Sequence, residues 1–279
     1  MRDQRIRRFL VIAPIVALMS LATLPLAIAQ DGGGAPAAKR TGPMPPIPRL
    51  KDGTPSFGWV DPKESGVWRP DRLHRDLSKS LLDRKEEGIP LQPWAKALYD
   101  YRIKTEQIDD PEGYCLPAGS VGATSNRTAA PWEFLQMPDQ KRIVRIMESG
   151  TNTWQTIYMD GRPHPADVND IPTWLGHSVG HWEGDTLVVD TVGFNEGHWL
   201  TMMGLPRTNY HHVTERFTRV NYDTMRYEAT FDDPGAYTRP WRVGWDINWG
   251  RGEVLLELVC QENNRWPEFQ KGAKMPGAQ

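Results

Sequence analysis

Cysteine is nearly absent from this 279-residue chain, which carries only Cys115 and Cys260. That excludes a disulfide-dense scaffold. A zinc finger is disfavoured too, because neither thiol has a second ligand at finger-like spacing. Positive charge is no more plentiful: 33 Lys and Arg against 35 Asp and Glu give a net charge of −2. No basic face is available for a nucleic-acid partner, and none is expected. No phosphate-binding glycine loop or zinc-protease helix occurs. The single Gly-x-Ser-x-Gly match, Gly176-His-Ser-Val-Gly180, sits in a strand-like run. A serine-hydrolase elbow needs a strand-to-helix turn at that point.

What is present begins with a leader. Arg2, Arg5, Arg7 and Arg8 precede an apolar run from Phe9 to Ile28 that closes on Ala27-Ile28-Ala29, the order of a cleavable signal peptide. The run is also long enough to serve as an uncleaved anchor. Arg7-Arg8-Phe9-Leu10 is an incomplete twin-arginine pattern. Cleavage after Ala29 is the preferred reading and sends the protein to the periplasm or the medium, with no stable membrane insertion afterwards. It removes four Arg and one Asp, leaving 29 basic and 34 acidic residues, a net −5. In that oxidising setting the two cysteines read as one disulfide, Cys115 to Cys260.

Residues 30–56, rich in Gly, Pro and Ala, read as a flexible leader. Residues 57–141 read as a helical and irregular arm, with two helical stretches between Asp71 and Lys104. The second opens on Pro93 and carries Trp94, Ala97, Leu98 and Tyr101 at helical spacing. The expected disulfide ties this arm to the last strand. Residues 142–264 switch to short alternating runs bounded by turn residues, at 142–148, 153–159, 177–182, 185–192, 211–219, 224–231, 239–247 and 253–260. Together with 24 Pro, 25 Gly and 12 Trp, these predict a mainly β fold: an eight-stranded antiparallel up-and-down barrel of lipocalin type, with a β-sandwich as the alternative. Residues 265–279 form a tail.

The loop Asn221-Tyr222-Asp223 sets one hairpin register by hand, with partner numbers summing to 444. Phe217 then faces Tyr227, Val213 faces Phe231, Thr214 faces Thr230 and Arg216 faces Glu228. The odd positions are mostly apolar and point inward, taking Glu215 and His211 with them. The next strand repeats the pattern with Trp241, Val243, Trp245 and Ile247.

Several strings then stand out as a set: Tyr158-Met-Asp-Gly-Arg-Pro-His-Pro165, Trp174-Leu-Gly-His-Ser-Val-Gly-His-Trp-Glu-Gly-Asp-Thr-Leu-Val-Val-Asp-Thr-Val-Gly-Phe-Asn195, His212-Val-Thr-Glu-Arg-Phe217, Asp232-Asp-Pro-Gly-Ala-Tyr-Thr-Arg-Pro-Trp241 and Val259-Cys-Gln-Glu-Asn-Asn264. In these, residues 88–264 resemble a widespread family of exported bacterial proteins. The resemblance implies export and a β-barrel-like body, and supplies no reaction. The chain departs from the family pattern before His212, reading Pro206-Arg207 where relatives read Pro-His.

Six of the seven histidines fall between His164 and His212. A two-residue turn at Glu183-Gly184 makes partners sum to 367 and sets His177 opposite Asp190, with His181 on the same face. Such a pair is either an oriented general base or a surface contact between strands. A metal site from His177, His181 and His198 or His211 has no recognised ligand spacing, so no metal and no cofactor is expected. Glu215 on an apolar inward face needs a partner or a proton, which makes it a candidate acid or base or half of a buried ion pair. Trp241, Trp245, Tyr227 and Phe217 are candidate ligand-binding residues together with His181, or are core packing.

The reading is an exported barrel that binds a small apolar or aromatic molecule. It can transform that molecule by cofactor-free acid/base chemistry of isomerase, lyase or hydratase type, through Glu215, His177, Asp190 and His211. The alternatives are a pure binding or envelope scaffold protein and a His-rich metal-binding protein. The discriminating feature is whether Glu215 and the His177–Asp190 pair open onto one cavity.

Overall fold

The computed structural model describes residues 42–268 except 60, 62, 64, 72, 73, 75, 120–130, 150, 263 and 267. The expected signal peptide, most of the leader and the end of the tail lie outside the described residues. Among the described residues nine strands form one sheet: β1 (Gly66–Pro70), β2 (Trp132–Met137), β3 (Arg142–Ser149), β4 (Thr151–Tyr158), β5 (His177–Glu183), β6 (Thr186–Val192), β7 (His212–Arg219), β8 (Thr224–Asp232) and β9 (Trp241–Arg251). Each pairs with the next and β9 pairs with β1, so the sheet closes into a ring. Closure leaves no sandwich of two separate sheets.

Several expectations are corrected here. Nine strands replace eight, because β1 and β2 come from the stretch read as an arm, while 253–260 forms no strand. The edge that 253–260 would have needed is occupied: β1 pairs with β9 from Gly66↔Arg251 to Pro70↔Ile247. Val254 and Leu256 are accordingly exposed. The sheet is also not wholly antiparallel, since β4 and β5 run parallel through Ile157↔Ser178 and Tyr158↔Val179. The long 159–176 connection returns the chain to the start of the sheet end it left, which a tight hairpin cannot do.

The β7–β8 hairpin has the expected register, with Val213↔Phe231, Thr214↔Thr230, Arg216↔Glu228 and Phe217↔Tyr227. Its odd positions are buried, Glu215 among them. The β5–β6 register is corrected: Glu183↔Thr186 closes the hairpin and His177 faces Val192. The two turn residues are Gly184 and Asp185, with Gly184 at φ +59°, a left-handed conformation that glycine adopts without strain. Glu183 stays in the strand, where it accepts from Arg216 at 2.8 Å. Val179 therefore faces Asp190.

Of the two expected helical stretches, the first is a single 3-10 turn, Leu77–Ser80, and the second is α1 (Pro93–Lys104). The buried face of α1 is centred on Ala95, and Trp94 and Tyr101 point outward. Trp94 instead donates its indole proton to the Gly235 carbonyl at 2.9 Å. Cys115 and Cys260 are bonded, with Cα atoms 5.5 Å apart. The bond ties the segment after α1 to the chain beyond β9, not to a last strand. Among the described residues no helix is long and apolar enough to cross a membrane.

Candidate functional site

Inside the ring the inward residues are mostly aromatic, with a polar centre. Arg145 on β3 reaches across to Glu215 on β7, with Nη1 donating to Oε1 at 3.0 Å and Nη2 to Oε2 at 3.2 Å, both side chains fully buried. Tyr227 donates its hydroxyl to Oε1 at 2.9 Å. The guanidinium lies 5.3 Å from the Trp132 ring centre and 5.2 Å from that of Phe217. Glu215 is thus inward, as the register requires, and its charge is met by a partner.

Around this pair the rings interlock. Trp132 meets Phe217 and Tyr227 edge-on, and Tyr227 packs 4.7 Å from Trp245. Phe231 bridges to Trp241 at 4.5 Å. Opposite Arg145 across β3–β4 stands Gln155, whose amide donates to Ser178 Oγ at 2.8 Å. Ser178 and Thr191 share a further hydroxyl bond of 2.9 Å. His74, given no role by the sequence, stacks on Trp245 at 4.3 Å and bonds Ser80 Oγ at 2.9 Å and Asp71 Oδ1 at 2.7 Å. Its backbone belongs to a segment that hydrogen-bonds to β9 through Asp71 and Leu82.

Several polar atoms in this interior are buried and have no protein partner among the described residues: Nε1 of Trp132, Trp241, Trp245 and Trp249, Nε of Arg145 and Oε1 of Gln155. His211 is buried at one end, stacked on Phe231. Burial, then the charges of Arg207 and His212, push it well below 6.5, so it is neutral. His181 stands apart on the outer face, bonded to Glu183. A recess of about 170 Å³ between Leu50, Met137, Ile143, Met159 and Trp182 contains none of the expected site residues.

A second cluster occupies the outer face. Asp190 Oδ1 accepts from His212 Nε2 at 2.6 Å, and Oδ2 from His164 Nε2 at 3.0 Å. Thr214 adds a hydroxyl bond at 3.2 Å. His164 Nδ1 lies 2.9 Å from His177 Nδ1, and His177 stacks on Tyr158 at 5.3 Å. His177 and Asp190, expected to be cross-strand partners, are therefore joined through His164. Glu215 and Asp190 lie on adjacent strands but on opposite faces, so they share no cavity.

Local sequence explains how His164 is delivered. Asp160 accepts from the Arg162 backbone at 3.2 Å and from its guanidinium at 2.6 to 2.9 Å, with Gly161 at φ +77° completing the turn. Pro163 and Pro165 restrict the backbone on either side of His164. The loop is then held to the 193–195 segment by Thr173 N to Gly193 O and Asn195 N to Thr173 O. A Cβ on Gly193, which has φ +74°, would lie 2.5 Å from Val168, so only glycine permits the approach. Among the described residues no group of three or more His, Cys, Asp or Glu is placed to hold a metal ion.

The electrostatics divide the histidines. Burial pushes Asp190 up, but the bonds from His212 and His164 outweigh it and hold the carboxyl at about 2. The bond to Asp190 raises His212 against the opposing effect of burial. Burial, then His164 and Arg162, lower His177. The His212 contribution to stability is full below pH 6.5 and is lost as pH rises through its folded value. The Asp190 contribution is full above pH 3.8 and is lost as pH falls toward 2. In an NMR titration His212 is expected to titrate above 6.5 and His177 below it, and Asp190→Asn should bring His212 down. Coincident His177 and His212 midpoints in the unmodified protein would contradict this assignment.

Comparison of the chain with protein-family models, with curated proteins and with solved structures finds no match in any of the three.

Proposed function

We propose that this is an exported, lipocalin-like barrel whose interior binds a small, flat, aromatic molecule rich in oxygen acceptors. One observation carries the reading: three clustered buried donors, Nε1 of Trp132 and Trp245 and Nε of Arg145, and one buried acceptor, Oε1 of Gln155, have no protein partner among the described residues. A buried polar group left unpaired costs about 1–3 kcal/mol, and native interiors rarely leave one so. A guest in hydrogen-bond reach of these groups removes that cost. Because donors outnumber acceptors, the guest has to bring carbonyl, carboxylate or hydroxyl oxygens. The indole and phenol rings of the interior favour a planar body. Arg145 Nε adds a preference for an oxygen of partial or full negative charge.

Export is supported by the basic and apolar leader and by the disulfide. Acid/base conversion of the guest by Glu215, with Tyr227 as its hydrogen-bonded neighbour, belongs to the same proposal. The scaffold alternative draws on exposed Trp154, Val254, Leu256 and Leu258, and requires instead a protein partner that covers them. Native mass spectrometry of protein purified under non-denaturing conditions from its own host tests the reading. The expected spectrum shows the mature chain plus a small molecule that is released on unfolding. A spectrum of the bare chain alone would overturn it.

A further inference from the structure

The outer-face histidines form a directional chain that is independent of the interior. An ionised Asp190 accepts from His164 Nε2, so a neutral His164 carries its proton there and offers a lone pair at Nδ1. The 2.9 Å contact between the two Nδ1 atoms is then a bond donated by His177. That tautomer leaves the His177 lone pair on Nε2, which has no hydrogen-bond partner among the described residues. Its ring is fixed on one side by Tyr158, parallel to within 22°, and on its edge by His164.

We propose that His177 Nε2 is the nucleophile of an outer-face acyl-transfer site, with His164 and Asp190 as its positioning residues and activated esters of small uncharged acids as its substrates. In the first step Nε2 attacks the ester carbonyl and the alkoxide or phenolate leaves. The resulting acyl-imidazolium is stabilised by passing its Nδ1 proton to His164 Nδ1, and Asp190 holds the imidazolium so formed. Water then attacks the acyl carbon, the carboxylic acid departs, His164 returns the proton to His177, and the second proton of the water ends on the alkoxide or phenolate. The sum is ester plus water giving acid plus alcohol or phenol, with no other reactant. The preference for an uncharged acid follows from the surroundings. Arg162 is tied to Asp160, and Asp190 is shared by His164 and His212, so neither charge is free to select an ion.

The groups around His177 are Tyr158 from β4, Arg162 and His164 from the following loop, with Asp160 held by Arg162, and Asp190 and His212 from β6 and β7 by way of His164. Burial, then His164 and Arg162, lower the His177 pKa from 6.5, so the ring is neutral at pH 7. The rate should therefore rise with pH to a plateau reached near neutrality.

The test uses the purified protein and p-nitrophenyl acetate. Hydrolysis should fall about ten-fold or more in His177→Gln. In His164→Gln it should fall with KM unchanged, and the midpoint of the pH profile should move. Acid quenching during turnover of the unmodified protein, followed by peptide mapping, should place the acetyl group on His177. An unchanged rate in folded His177→Gln overturns the proposal, as does acetyl spread equally over His177 and the exposed His181. The mapping needs no variant, so it decides the matter even where a substitution fails to fold.

Discussion

Glu215→Gln is expected to destabilise the protein by about 3 to 5 kcal/mol, because it leaves the Arg145 guanidinium charged and stranded in the ring interior. Both side chains are fully buried and joined by two bonds across the ring, so no solvent can replace the lost partner. Glutamine keeps the shape and can still accept from Tyr227, which confines the loss to the charge. Urea denaturation should show a lower midpoint at unchanged slope. The double replacement Arg145→Met with Glu215→Leu, which removes both charges and keeps the volume, should recover most of that loss. A Glu215→Gln variant as stable as the parent would mean that the pair does not span the interior as described.

Reduction of the Cys115–Cys260 disulfide, or its replacement by two serines, is expected to have a comparable effect. The bond joins residues separated by 145 positions, and the chain-entropy model gives about 5 kcal/mol for a loop of that size. Contacts that survive reduction lower this figure: Trp266 Nε1 donates to the Ile108 carbonyl at 3.2 Å and Asn264 Nδ2 to that of Gly113 at 3.0 Å. Thermal melts with and without reductant should separate by several degrees or more. Superimposable melts would show that the bond does not contribute to stability.

How much of this was legible in the sequence depended on whether one stretch carried its own answer. The β7–β8 register followed from the loop length and a clean alternation, and it correctly turned Glu215 inward. β5–β6 has the same alternation, but Gly184 can serve as either residue of a two-residue turn. Choosing the wrong one moved His177 from Val192 to Asp190. β1 is short and lies in a Pro- and Gly-rich stretch, while 253–260 alternates convincingly. Only the competition for the edge of β9 decides between them, and that competition is a property of the closed sheet. For the same reason Arg145 gave no signal: its partner lies four strands away. His164 and His212 were visible as members of a histidine-rich region, yet their convergence on Asp190 needs the parallel β4–β5 crossover to bring the 160–176 loop back. His74 had no local mark at all.

The central claim is that the interior donors are partnered by a bound molecule. It is tested most directly by a crystal structure, at a resolution that separates water from organic density, of protein taken from its own host without denaturation. The account predicts a continuous planar feature within hydrogen-bond distance of Trp132 Nε1, Trp245 Nε1 and Arg145 Nε. Ordered waters alone at these atoms, or indole groups turned to bond the protein itself, would contradict it.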